Sequence, residues 1–293
     1  MITAPMNLRR VIEFPVVRIV IGIVAVVVLL VPAQVVAAGA TTTSIRGVAV
    51  ELYSGIAATA ALWLVAHFIE KGSLADVGLP LDRRLSYLIA GLVLGVVVAG
   101  LAVGILAILG AYAVVGKGDL ASSPQNTVLL LAFELGSAAL QAVLFFGIIF
   151  RVLVEWLGRW PAITLTVVLF GAIHLSAPNA TIVSAIIVGL SGGVLLSASY
   201  LATNNLWLPA GILWGVNFTF VEVFGAIPSA AHRILQARIT GNNLLTGGSA
   251  GVEGGIATLV AAWLAVLLII WWASTRTRVS PASTPAMPLP NLR

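Results

Sequence analysis

Long apolar runs separated by short polar connectors make up most of the chain. A helix of about 20 apolar residues can cross a bilayer, and the chain offers eight runs of roughly that length. They cover residues 17–38, 47–69, 86–115, 126–155, 161–177, 180–201, 205–226 and 255–274. The pattern predicts an all-α fold, a polytopic membrane helical bundle with about eight transmembrane helices.

The composition is typical of a membrane protein and excludes several kinds of site. Hydrophobic residues make up 60% of the chain and charged residues only 9%, against roughly 25% charged in soluble domains. We therefore expect the lipid bilayer as its surroundings. The absence of cysteine excludes disulfides, thiolate metal sites and cysteine nucleophiles. The net charge of +5 comes from basic residues that lie singly or in pairs between apolar runs, so no nucleic-acid partner is expected.

The distribution of basic residues predicts the orientation. With the N-terminus in the cytoplasm, eleven of the fifteen Lys and Arg residues fall inside and four outside. Cytoplasmic connectors carry an excess of such residues. We expect an integral, multi-pass protein of a bacterial-type plasma membrane with both termini in the cytoplasm.

The first run has a competing interpretation. Arg9, Arg10 and Arg18 precede VIGIVAVVVLLV and then VVAAGA, an order that resembles a signal peptide with a small-residue cleavage site. The apolar run from residue 19 to residue 40 exceeds the 7–15 residues of a signal-peptide core. The length favours a retained helix, and cleavage stays open as the alternative.

Three regions are expected along the chain. Residues 1–16 form a cytoplasmic N-terminal segment, residues 17–274 the membrane domain, and residues 275–293 a Pro- and Ser-rich cytoplasmic tail predicted to be disordered. Residues 226–254 are the longest stretch inside the membrane domain that is not expected to span. Its glycines suggest a re-entrant or lid-like segment over a cavity.

Isolated polar residues interrupt three of the apolar runs. Glu134 and Gln141 lie seven residues apart, on one helix face and about 10 Å apart in depth. His174 lies near the end of the fifth run, and Asn217 and Glu222 lie in the seventh. Polar side chains are costly in hydrocarbon and usually functional. The three helices are therefore expected to direct polar groups into one membrane core.

Three stretches carry a family resemblance. FFGIIFRVLVEWLGRW, FGAIHL and LWLPAGILWGVNF, in this order, resemble the motifs of the CAAX protease and bacteriocin-processing family (CPBP, also called Abi). Members of this family are multispan intramembrane endopeptidases. The resemblance covers a CPBP-like core of about residues 70–254 and implies a CAAX-protease-like fold that cleaves membrane-associated peptides.

The first family motif is altered in this chain. Its Glu-Glu pair falls on Gln141 and Ala142, and its arginine falls on Phe146, followed by the expected Gly147. By the resemblance, the first glutamate would activate water. Gln141 cannot do so because a neutral amide is not a base.

The other two motifs are partly kept. The second, Phe followed four positions later by His, is intact as Phe170 and His174, and the third keeps Asn217 but has Leu213 in place of its histidine. The resemblance therefore implies His174, Asn217 and a degenerate Gln141 as catalytic positions. It also suggests a divalent metal as cofactor, although His174 and Asn217 fall short of three protein ligands.

Two nearby carboxylates are candidate substitutes for the lost pair. Glu134 lies about 10 Å from Gln141 along its helix, and Glu222 about 8 Å from Asn217. If the motifs converge, both glutamates share a similar depth and could hold a proton, a cation or a water.

Three functions remain open on the sequence alone. The first hypothesis is an intramembrane endopeptidase that works through a rearranged site. The second is a noncatalytic relative (pseudoprotease) that binds a membrane peptide or protein. The third hypothesis is an ion- or proton-coupled transporter that uses Glu134 and Glu222.

Overall fold

The computed structural model describes residues 12–278 and consists almost entirely of helices. Eight helices in these residues lie within or overlap the predicted apolar runs. They are α1 (Pro15–Ala37), α2 (Ile45–Ile69), α3 (Arg84–Ile108), α4 (Pro124–Leu157), α5 (Arg159–His174), α6 (Ile182–Thr203), α7 (Trp207–Phe218, continued by a π-helical turn, Thr219–Val223) and α8 (Ile256–Arg278).

The helical membrane bundle predicted from the sequence is confirmed. Within residues 12–278, six helices are long and apolar enough to cross a bilayer, namely α1, α2, α3, α4, α6 and α8. The other two expected spans are shorter helices, because α5 has 16 residues and the α-helical part of α7 has 12. Gly158, with φ +80°, separates α5 from the end of α4.

The predicted terminal segments are only partly described. Residues 1–11 and 279–293 lie outside the described residues, and with them most of the predicted N-terminal segment and tail. At the C-terminal side, α8 continues to Arg278, past residue 275 where the tail was expected to begin.

A two-stranded antiparallel sheet was not expected from the sequence. It pairs β1 (Tyr112–Lys117), just after α3, with β2 (Leu235–Ile239), which follows α7. The third apolar run was expected to stay helical to residue 115, but α3 ends at Ile108 and Gly110 adopts φ +71°. The pairing brings two distant connectors to one end of the bundle, called the sheet end below.

Small residues allow α3 and α7 to pack closely. Gly91 and Gly95 on α3 face Gly211 and Gly215 on α7, and a Cβ on Gly91 would overlap the carbonyl oxygen of Leu208. Such small-xxx-small pairs let helix backbones approach each other in membranes. The contact fixes the part of α7 that carries Asn217.

Four charged side chains form a network at the other end of the bundle. Oε1 of Glu70 accepts hydrogen bonds from Arg18 (2.7 Å) and Arg151 (2.8 Å). Glu155 accepts from the same two arginines at 3.0 and 2.8 Å. Burial alone would raise the pKa of the Glu70 carboxyl, but Arg151 and Arg18 outweigh it and hold that pKa below its ordinary value. This ion network joins α1, the end of α2 and the end of α4.

Candidate active site

A small cavity lies inside the bundle toward the sheet end. Its walls come from α3 to α8 and from the turn that precedes α8, and Gln141, His174 and Asn217 all line it. The three motif positions taken from the sequence therefore reach one cavity. Its volume of about 60 Å³ suffices for water molecules and is too small for a peptide.

His174 is oriented by its own helix. Its Nδ1 lies 2.6 Å from the carbonyl oxygen of Phe170, one turn earlier on α5. A carbonyl accepts only, so Nδ1 must carry the proton in this contact. In the neutral ring Nε2 then has a free lone pair and can act as a base. The ring of Phe170 packs against the imidazole with centroids 4.8 Å apart.

Gln141 lies at the last regular turn of α4 before a π-helical stretch. Its Nε2 donates a hydrogen bond to Oγ of Ser137 at 3.1 Å. An amide nitrogen has two hydrogens, so one is left for another acceptor in the cavity. Ala142 is packed in the core instead. The π-helical stretch, Val143–Phe150, follows at once, and such stretches are frequent at functional sites.

The two proposed substitute carboxylates lie outside the cavity wall. Glu134 is 8% exposed and interacts with the side chain of Asn217, and Glu222 is 3% exposed in the π-helical turn after α7. Oε2 of Glu222 has no hydrogen-bond partner within residues 12–278. Neither residue lines the cavity, so neither directly faces the space around His174.

A carboxylate that was not predicted from the sequence does line the cavity. Glu253 lies in the short turn Val252–Gly254, just before α8, and interacts electrostatically with His174. Its side chain is half-buried, and the cavity is among the spaces it faces. Burial raises the pKa of the Glu253 carboxyl, and His174 opposes that shift.

The turn that carries Glu253 is held by backbone contacts. The amide of Val252 donates to the carbonyl of Ala226 at 3.0 Å. Thr258 Oγ1 donates to the carbonyl of Val252 at 2.6 Å. Gly251 has φ +98°, a conformation that favours glycine.

The glycine-rich segment predicted to cover a cavity thus supplies part of its wall. Glu253 is the one acidic residue of that segment, which was the available signal in the sequence.

The described residues do not fit a metal centre. Within residues 12–278, no group of three or more His, Asp or Glu side chains is close enough to hold a metal ion. Catalytic zinc sites usually have three protein ligands, so the metal suggested by the family resemblance has no matching ligand set. The cavity instead combines a possible base on His174, a carboxyl on Glu253 and amide donors on Gln141 and Asn217.

Comparison with known families supports the resemblance. Residues 123–219 match the model of the Rce1-like family, type II CAAX prenyl endopeptidases. The match runs from the residue before α4 to the first residue after α7's regular helix, and it includes Gln141, His174 and Asn217 but not Glu253. No curated protein and no solved structure matches the chain. The protein is thus an integral, multi-pass membrane protein in which residues 123–219 are similar to the Rce1-like family of type II CAAX prenyl endopeptidases.

Proposed function

We propose that this protein is a CAAX-type intramembrane endopeptidase in which Glu253 and His174 activate the attacking water. The observation that carries the proposal is their shared position: both line one water-sized cavity, with Nε2 of His174 not engaged by Phe170. The Rce1-like match supports the reaction class.

The proposed reaction needs only groups that line the cavity. The Glu253 carboxylate, directly or through Nε2 of His174, takes a proton from water while the water oxygen attacks the peptide carbonyl. Amide N–H groups of Gln141 and Asn217 donate to the oxyanion that develops. The proton then passes to the leaving amine as the C–N bond breaks, which leaves a carboxylic acid and an amine.

Substrate entry requires a change at the cavity. A space of about 60 Å³ cannot hold a peptide segment. The segment before α8 is the part of the wall without long helical structure, and it contains several glycines with positive φ. We therefore expect the turn with Glu253 to move when a peptide binds and to return toward His174 around it.

One observation favours a noncatalytic relative as the second candidate. Gln141 stands where the family places its first glutamate, and it hydrogen-bonds to Ser137 as a neutral amide. If no other group replaces that base, the cavity would bind a membrane peptide or protein without cleaving it. The transporter hypothesis depends on Glu134 and Glu222, neither of which lines the cavity.

The test uses the purified full chain in lipid vesicles with a panel of membrane peptides, with and without a prenyl group. We expect slow cleavage by the wild type and loss of cleavage in His174→Ala, with Asp119→Asn as the control outside the cavity. A Gln141→Glu, Ala142→Glu double variant should raise the rate if the inherited position still faces the substrate. Peptide binding without cleavage by the wild type, together with cleavage by the double variant, would reject the endopeptidase proposal in favour of the noncatalytic relative.

A further inference from the structure

A large apolar groove lies on the outside of the bundle between α3 and α8. Its volume is about 800 Å³, and it shares no lining residue with the cavity. On α3 the lining residues recur every three or four positions from Arg83 through Tyr87 and Ala90 to Val97. They form one stripe along the helix. Trp271 and Trp272 of α8 contribute to the other wall.

The length of the groove matches one leaflet of a bilayer. Residues 83 and 97 are 97 − 83 = 14 positions apart, which is about 21 Å along a helix at 1.5 Å per residue. Half of a hydrocarbon core is about 15 Å thick, and the headgroup region adds several ångströms. The groove therefore extends from the headgroup level to near the bilayer midplane, the depth that one acyl chain occupies.

The mouth of the groove carries a positive charge. Among the lining residues that the structure describes, Arg83 is the one charged residue, and it is exposed at the start of α3. Within residues 12–278, Arg83 forms no ion pair, and the neighbouring Asp82 does not line the groove. Tyr87, Trp271 and Trp272 lie near the same end, where aromatic residues mark the membrane interface.

We propose that the groove binds an anionic phospholipid, with one acyl chain along α3 and its phosphate at Arg83. The apolar walls hold the acyl chain by van der Waals packing, because the bilayer interior is itself apolar and offers no gain from leaving water. The guanidinium pairs with the phosphate in charge-assisted hydrogen bonds. An anionic headgroup is preferred to a zwitterionic one because the latter carries a cationic group that offsets the attraction to Arg83.

The experiment compares lipids that differ only in headgroup. The full chain is placed in bilayers of equimolar phosphatidylglycerol and phosphatidylcholine with identical acyl chains, then released, and the lipids still bound are counted by native mass spectrometry. The wild type should retain phosphatidylglycerol in preference. Arg83→Asn should reduce that preference about fivefold. Asn is chosen because position 83 has φ +55°, which Asn tolerates.

Matched controls separate the groove from general surface charge. Arg84→Asn removes the same charge one position away, outside the groove, and should keep the preference. Ala90→Phe fills the groove and should lower retention of both lipids, whereas Ile89→Phe, on the exposed face beside it, should not. Equal loss in Arg83→Asn and Arg84→Asn would overturn the proposal, as would unchanged lipid retention in Ala90→Phe. Neither readout depends on peptide cleavage, so the outcome is independent of the proposed function.

Discussion

The ion network and the cavity are two polar regions of this membrane protein, and they differ in how their groups are paired. In the network, Glu70 and Glu155 each accept hydrogen bonds from both Arg18 and Arg151. In the cavity, Glu253 has His174 as its neighbour and forms no hydrogen bond within residues 12–278. Fully paired charges hold helices together, whereas polar groups that are left open remain available to water and substrate.

The difference follows from the cost of burial. A buried charge is tolerated when its hydrogen bonds are satisfied, and removing one partner leaves an uncompensated charge. The carboxyl of Glu253 faces a water-sized space and has no ion-pair partner of this kind among the described residues, so its replacement breaks no such pair. Substitutions in the network should therefore affect stability most, and substitutions in the cavity should affect chemistry most.

The largest stability effect is expected at Arg151. Arg151→Met removes one of the two arginines that neutralise Glu70, and Arg151 is only 7% exposed. We expect a loss of about 2–3 kcal/mol in the free energy of unfolding, below the range for a fully broken buried ion pair because Glu70 keeps Arg18. The measurement is reversible unfolding in detergent micelles.

Arg159→Met is the matched control for Arg151→Met. Arg159 contacts the ring of Trp160 at 5.5 Å and takes no part in the network. Its replacement should cost less than about 1 kcal/mol. Similar losses in the two variants would show that the network does not stabilise the bundle, and the contrast with the cavity would fail.

The pH dependence of stability should have opposite signs at Glu70 and Glu253. The arginines lower the pKa of Glu70. The stability that Glu70 contributes is therefore fully present above the unfolded carboxyl pKa of about 4.3 and is lost as pH falls through the folded value. Burial raises the pKa of Glu253, so its ionisation costs stability as pH rises from about 4.3 toward the folded value.

Unfolding of Glu70→Gln and Glu253→Gln between about pH 2 and pH 8 checks these signs. The stability advantage of the wild type over Glu70→Gln should grow as pH rises to about 4.3 and stay level above that value. Relative to Glu253→Gln, the wild type should instead lose stability as pH rises above about 4.3. Parallel curves for the two variants would contradict the difference in pairing.

The smallest effect is expected at the exposed pair of Asp119 and His232. Asp119 Oδ2 lies 2.6 Å from Nδ1 of His232, and its Oδ1 accepts from the amide of Arg233. Both side chains are partly exposed, so Asp119→Asn should change the free energy of unfolding by less than about 1 kcal/mol. A loss as large as that of Arg151→Met would mean that pairing alone, without burial, governs stability here.

The sequence predicted the helices well because hydropathy acts within a single segment. The order of the motifs also predicted that Gln141, His174 and Asn217 lie near one another, and all three line one cavity. Glu253 was not predicted as a cavity residue because helical spacing relates residues on one helix only. Its place depends on how the turn before α8 packs against Ala226.

The ion network and the two-stranded sheet were not predicted from the sequence for a similar reason. Arg18 and Arg151 are 52 and 81 residues from Glu70, respectively. The strands Tyr112–Lys117 and Leu235–Ile239 are likewise far apart in the chain. Charges at the ends of apolar runs predict orientation, but their partners depend on which helix ends the fold brings together.

The central claim is tested most directly by measuring cleavage and unfolding together for Glu253→Gln and Glu70→Gln. Loss of a general base typically costs about 10²- to 10⁴-fold in rate. We expect Glu253→Gln to lose cleavage to that extent at pH 7 while it stays at least as stable as the wild type. Glu70→Gln should unfold more readily yet cleave at close to the wild-type rate while folded. Wild-type cleavage by folded Glu253→Gln would contradict the assignment of Glu253 as the water-activating carboxylate.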